Sequence, residues 1–254
     1  MARIISVITQ KGGVGKTTTV NALAAALNKH GRRVLCIDMD PQSNLSFSLK
    51  AETEDSYTIY DAMRKDVSTL DCIQRSPTAD IIPSDILLNA LEMEYTGINR
   101  EFLLKEALES VKNLYDYILI DSPPSLGILT ANVLSATRYV ILPTLPDIFS
   151  LQGLTKVHET IEHTKKACNP RLEIAGILIN RYNKHFKLHK EAYGTAKLLA
   201  DKFEIPVFNT VIRNCKALSE AHSLQCDITK YKKSAKGIKD FQLLTQELMD
   251  RGIF

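Results

Sequence analysis

Short runs of apolar, largely β-branched residues punctuate the chain at wide intervals: Arg3–Thr9, Val34–Asp38, Tyr117–Asp121, Tyr139–Pro143 and Ile174–Asn180. Each is nearly continuous in hydrophobicity, as expected of a parallel-sheet strand covered on both faces. Between them run polar turns and helical patterns. Over Thr17–His30, Val20, Leu23, Ala24 and Leu27 share one helical face, and Gly31 stands where such a helix would end. Residues 45–115 are less regular and predict several short helices around a strand near Asp80–Pro83. Ile205–Phe208 is expected to form a last strand. Ala235–Met249 is expected to form a closing helix, with Ile238, Phe241, Leu244 and Leu248 on its buried face. Strands alternating with helices predict an α/β fold, a mainly parallel twisted sheet with helices on both faces. Ligands of such sheets sit beyond the carboxyl ends of the strands.

The 254 residues are 44% hydrophobic and contain no Pro/Gly/Ser-rich linker, so a single domain spanning 1–254 is expected. The cysteines Cys36, Cys72, Cys168, Cys215 and Cys226 are odd in number and lack any CxxC spacing, which argues for reduced thiols and against a metal cluster. The chain opens on a strand pattern without a charged-then-apolar leader, and no apolar run approaches the ~20 residues of a membrane span. A soluble, cytoplasmic protein is expected.

Residues 11–18 read KGGVGKTT, between a strand and a helix. Gly12, Gly13 and Gly15 let backbone N–H groups approach phosphate oxygens with no Cβ in the way, and Val14 lies among them. The helix that follows adds its dipole to the same anion. Lys16 can reach β- and γ-phosphates, Thr17 can ligate Mg²⁺, and Thr18 completes the loop. The spacing departs from the usual G-x-x-x-x-G-K-[ST], and a second lysine, Lys11, stands at the front of the loop, where a solvating role is the plain alternative. Asp38 and Asp40 end one apolar run and Asp121 ends another. A carboxylate there can hold Mg²⁺ through water or orient the water that attacks a γ-phosphate, or it can simply form a turn. The hydrophobic strand before Asp121 has a Walker B pattern, which favours the Mg²⁺ role.

Gln10–Thr18, Asp38–Gln42 (DMDPQ) and Ile118–Gly127 (ILIDSPPSLG), in this order, resemble the ParA/Soj/MinD group of deviant-Walker P-loop ATPases. Arg213–Ser223 and Tyr231–Gly237 are similar to the C-terminal part of ParA/Soj proteins, so the resemblance covers nearly the whole chain. It implies ATP and Mg²⁺ as cofactors and a homodimer formed when ATP is bound, in which Lys11 crosses to the partner's nucleotide. It further implies water positioning by Asp40, support of Mg²⁺ and the switch by Asp38, and adenine contacts at Asn180 and Arg181, where Asn180 otherwise only ends a strand.

From Arg181 to Lys236 there are twelve Lys/Arg against five Asp/Glu, whereas the whole chain is only +3. Such asymmetry points to an anionic partner. The resemblance implies non-specific DNA held by basic residues of this region, of which Lys184, Lys187, Arg213, Lys216, Lys232, Lys233 and Lys236 are the candidates. It also implies a ParB-like activator of a slow hydrolysis and association with the nucleoid. The loop after Asn180 departs from the Soj pattern: His185 falls near the place of an expected arginine, and NRYN is closer to MinD. A MinD-like membrane regulator is therefore the alternative. It would require a Lys-rich amphipathic tail, whereas the last residues read DFQLLTQELMDRGIF, so no membrane partner is expected.

Overall fold

The computed structural model describes residues 1–254, the Glu92 side chain excepted. Six parallel strands form one sheet: β1 (Arg3–Val7), β2 (Val34–Asp38), β3 (Asp80–Ile82), β4 (Tyr117–Asp121), β5 (Tyr139–Thr144) and β6 (Glu173–Ile179). Their order is β3-β2-β4-β1-β5-β6, which puts the first strand inside the sheet, between β4 and β5.

The continuous apolar runs are explained by burial on both faces. In β2, Val34 and Cys36 point to one core while Leu35 and Ile37 point to the other; in β4, Tyr117 and Leu119 oppose Ile118 and Ile120. Helices α1 (Lys16–Lys29), α2 (Asn44–Ser48), α9 (Lys216–Ser223), α10 (Ile228–Tyr231) and α11 (Lys236–Asp250) bury their apolar residues in one core. Helices α3 (Ile59–Arg64), α4 (Leu91–Glu94), α5 (Leu103–Ala107), α6 (Ile128–Ala136), α7 (Ile148–Ala167) and α8 (Lys187–Phe203) serve the other. The expected face of α11 is buried, with Ile238, Phe241, Leu244 and Leu248 at most 3% exposed.

One expected element differs. Ile205–Phe208 runs beside β6 but makes only a bridge at Val207, through Ile177 N–H to Pro206 O (2.9 Å) and Phe208 N–H to Ile177 O (3.0 Å). Pro206 has no N–H to extend the ladder, which limits the segment to that bridge.

Candidate functional site

The loop between β1 and α1 is shaped by two glycines in the left-handed region, Gly13 (φ +71°) and Gly15 (φ +96°). A side chain at Gly15 would be doubly disfavoured, because its Cβ would come within 2.9 Å of Asn180 Nδ2. Val14 is buried and acts as the loop's apolar anchor; its carbonyl accepts from Asn180 Nδ2 at 2.8 Å. Asn180, at the end of β6, thus ties the loop to the far half of the sheet. One N–H of the nitrogen is committed to the loop, which leaves its second N–H and Oδ1, buried and without a protein partner, for a ligand.

Lys16 opens α1 at 7% exposure, and its ammonium makes no hydrogen bond among the described residues. Burial lowers its pKa, opposed by the nearby charges of Asp121 and Asp40. Thr17 Oγ1 donates to Asp121 Oδ2 at 2.6 Å, which joins the loop to β4. The other oxygen of Asp121 is buried without a partner. Burial, with the charge of Asp38 beside it, holds the Asp121 carboxyl well above the ordinary carboxylate range. A buried acid with a vacant oxygen beside a threonine hydroxyl suits an oxygen-seeking dication, and the bare ammonium next to it suits a phosphate. These side chains therefore fit Mg²⁺ and a nucleotide triphosphate.

Asp38 is placed differently. Its Oδ1 accepts from Asp40 N (3.1 Å), and its Oδ2 from Ser46 N and Oγ (both 2.8 Å). Burial pushes its pKa up to about 6 against these hydrogen bonds. Both oxygens hold the segment after β2, so its geometry is that of a support for the turn, and direct ligation of a metal would forfeit those bonds. Asp40, 8% exposed, spends Oδ1 on Gln42 N (3.1 Å) and lines a cleft of about 380 Å³ with Gly12, Lys16 and Thr17. Ser84 fixes this turn by donating to the Asp40 carbonyl at 2.5 Å.

A second cleft of about 380 Å³ shares Gly15, Thr18, Arg181 and Ser219 with the first and continues towards Ile212, Cys215 and Phe241. Together they run from the glycine loop and Asp40 at one end to Asn180, Ile212 and Phe241 at the other. A larger cleft of about 640 Å³ lies at the opposite ends of the strands, around Arg3, Arg138 and Asn169, away from all this chemistry.

Lys11 is held within its own chain. Its ammonium reaches both oxygens of Asp147 (3.1 Å each) and Ser150 Oγ (3.0 Å) at the N-terminus of α7. Sequence reasoning missed Asp147 and Ser150; the only available signal is an Asp followed three residues later by a Ser at a helix start. Ser219 and His222, which also line the clefts, are visible only as part of the segment Arg213–Ser223.

The basic candidates do not form one uniform group. Lys184, Lys187, Lys216, Lys233 and Lys236 are exposed. Lys232 is exposed too, but pairs with Glu220 at 2.6 Å. Arg213 is a correction: Nε and Nη2 clamp the buried Asp240 (2.6–3.1 Å), and Nη2 also donates to Lys236 O. Its guanidinium fastens α11 to the end of the sheet, so it is not a free phosphate contact.

Residues 2–174 match the AAA domain family. The chain is 38% identical to the sporulation initiation inhibitor protein Soj of Bacillus subtilis, covering 99% of this chain and 100% of that one. It is 36% identical to the chromosome partitioning protein ParA of Caulobacter vibrioides, over 98% and 94%. It is also similar to the cobyrinic acid a,c-diamide synthase of Mycobacterium smegmatis, solved with an ATP analogue and magnesium (31% identity, TM-score 0.85, 99% and 96% covered).

Proposed function

The chain belongs to the ParA/Soj family of P-loop ATPases, and we propose that it is a positioning ATPase of the partition type. MgATP occupies the joined clefts, two chains close face to face over two nucleotides, the dimer holds duplex DNA without regard to sequence, and a ParB-like partner triggers hydrolysis. The observation that carries the nucleotide part is the unpartnered Lys16 ammonium near Asp121, one of whose oxygens takes the Thr17 hydroxyl while the other is vacant.

Each residue has a task in this reading. The loop N–H groups and Lys16 bind the β- and γ-phosphates. Thr17 and Asp121 hold Mg²⁺, which when bound draws negative charge off the phosphates. Asp38 keeps the turn in place, and the free oxygen of Asp40 orients the attacking water. Asn180 Oδ1 accepts from the amino group of adenine while Arg181 lies over the base. Lys11 exchanges Asp147 for the partner's phosphates.

The membrane alternative fits less well. Among the described residues no helix is long and apolar enough to span a bilayer, and the apolar face of α11 is spent on the core together with Ile253 and Phe254. Light scattering with MgATP, MgADP and no nucleotide tests the proposal. A mass that doubles only with ATP is the expected result; a constant mass in all three removes the dimer switch.

A further inference from the structure

Helix α2 follows the Asp40 turn at once and is bracketed by Ser43 (φ +53°) and Lys50 (φ +60°), both in the left-handed region. It is a short body between two backbone joints. On its inner side it is tied to the end of β2 by Ser46, which donates to Asp38, and to α1 by Asn21 Nδ2, which donates to Ser48 Oγ (3.0 Å). Its outer side carries Phe47, which is 50% exposed yet gripped by a remote part of the chain. The Phe47 ring lies 6.1 Å from that of His222, at 49°. Its carbonyl accepts from Gln225 Nε2 at 2.9 Å, a bond spanning 178 positions. His222 is in α9, and Glu220 of that helix accepts from Lys232 (2.6 Å) and from the Tyr231 hydroxyl (3.3 Å).

Packed contacts therefore run from the Asp40 turn through α2 and Phe47 to α9 and on to the lysines beyond α10. Cys215 lines only the second cleft, whereas Ser219, His222 and Ser223 of α9 line the first, across from Asp40 and Gln42. Besides that open cleft, the packed connection between the Asp40 turn and the basic group is α2, through Phe47 to His222 and Gln225.

We propose that Phe47, gripped by His222 and Gln225, is a positioning residue that carries the γ-phosphate state of the Asp40 turn to α9 and its lysines, so that ATP and ADP present different basic surfaces. This rests on the reading of the clefts as an ATP site. Coupling of this kind needs a body with two arrangements, and in this proposal that body is α2, between Ser43 and Lys50.

Hydrogen exchange of the full chain, with MgADP and with a non-hydrolysable ATP analogue, tests it in the wild type, Phe47→Ala and Gln225→Ala. In the wild type, amides of residues 216–236 should exchange at least about threefold more slowly with the ATP analogue than with ADP. Both variants should lose that difference while residues 11–18 remain protected by either nucleotide. Phe47→Leu, which keeps an apolar side chain, should restore part of it. Gln225→Ala removes only a half-exposed amide and keeps the test alive if Phe47→Ala fails to fold. Variants that retain the wild-type difference, or a wild type without one, overturn the proposal. A wild type without protection at 11–18 fails at the nucleotide site itself, a distinct result that removes the relay along with it.

Discussion

Lys16 keeps a positive charge in a place that would be costly without an anion, and that makes it the residue whose loss is read most directly. Lys16→Ala should weaken MgATP binding about ten- to a hundredfold, since a hydrogen bond to a charged group is worth about 1.5–3 kcal/mol. Isothermal titration checks this, and unchanged affinity would end the phosphate assignment. Asp40→Ala leaves the phosphate cradle intact, so nucleotide should still bind while turnover falls about 10²- to 10⁴-fold in a phosphate-release assay. The buried acids give a pH signature. Burial raises the folded pKa of both Asp38, to about 6, and Asp121. A carboxyl raised in this way stabilises the fold below its unfolded pKa of about 4 and loses that contribution as pH rises through the folded value. Without nucleotide, Asp121→Asn should therefore melt above the wild type at pH 7.5, with the gap closing towards pH 5. His222, whose pKa burial lowers, works in the opposite sense but is present in both proteins. A gap independent of pH would show that Asp121 is not the strained acid. Lys16, Thr17 and Asp121 are legible in the sequence because local spacing places them at one strand end each. Asp147 is not, because its partner Lys11 is 136 positions away and no local pattern joins them.

At the scale of elements, the N-terminus of α7 holds Lys11, the residue that leaves it in the proposed dimer. Asp147 caps the helix by accepting from Ser150 N (2.9 Å) and also pairs with Lys11, both side chains being about 40% exposed. Burial works against its charge, but the hydrogen bonds from Ser150 and Lys11 outweigh it and keep its carboxyl below the usual range. Asp147→Ser retains a capping oxygen and removes the ion pair. An exposed pair is worth about 0.2–1 kcal/mol and the dimer gives up two, one per chain, so ATP-driven dimerisation should strengthen by up to about thirtyfold in analytical ultracentrifugation. Lys11→Ala should do the reverse, weakening the dimer much more than it weakens ATP binding to the single chain. Equal dimerisation in all three proteins would leave Lys11 without a role in trans. Most elements follow from the sequence because burial on both faces imposes long apolar runs. Ile205–Phe208 misleads because a buried extended segment with Pro206 has the composition of a strand without its ladder of donors. The short helices between β2 and β4 cannot be bounded from pattern, since each is fixed by caps such as Thr58 and Asp85 and by packing on distant strands.

At the scale of the whole molecule, the basic third and the ATP dimer belong to one prediction. A single chain offers a handful of exposed lysines. Two chains on one side double the phosphate contacts, and the salt dependence steepens by about 0.9 per phosphate neutralised. Fluorescence anisotropy on two unrelated duplexes should show binding with ATP and little with ADP, falling steeply with salt and blind to sequence. Lys233→Ala and Lys236→Ala should flatten the salt slope, whereas Arg213→Ala should lower stability by releasing Asp240. Equal binding in both nucleotides would remove the switch. The position of β1 carries a further consequence. The first strand to leave the ribosome is flanked in the sheet by β4 and β5, neither of which exists until residues 117–144 have been made. At about 5–20 residues per second, the nascent chain spends several seconds with that apolar strand unpaired on both edges. Nascent chains halted before β4 should be open to protease throughout the first strand, and those extended past β6 should be closed to it.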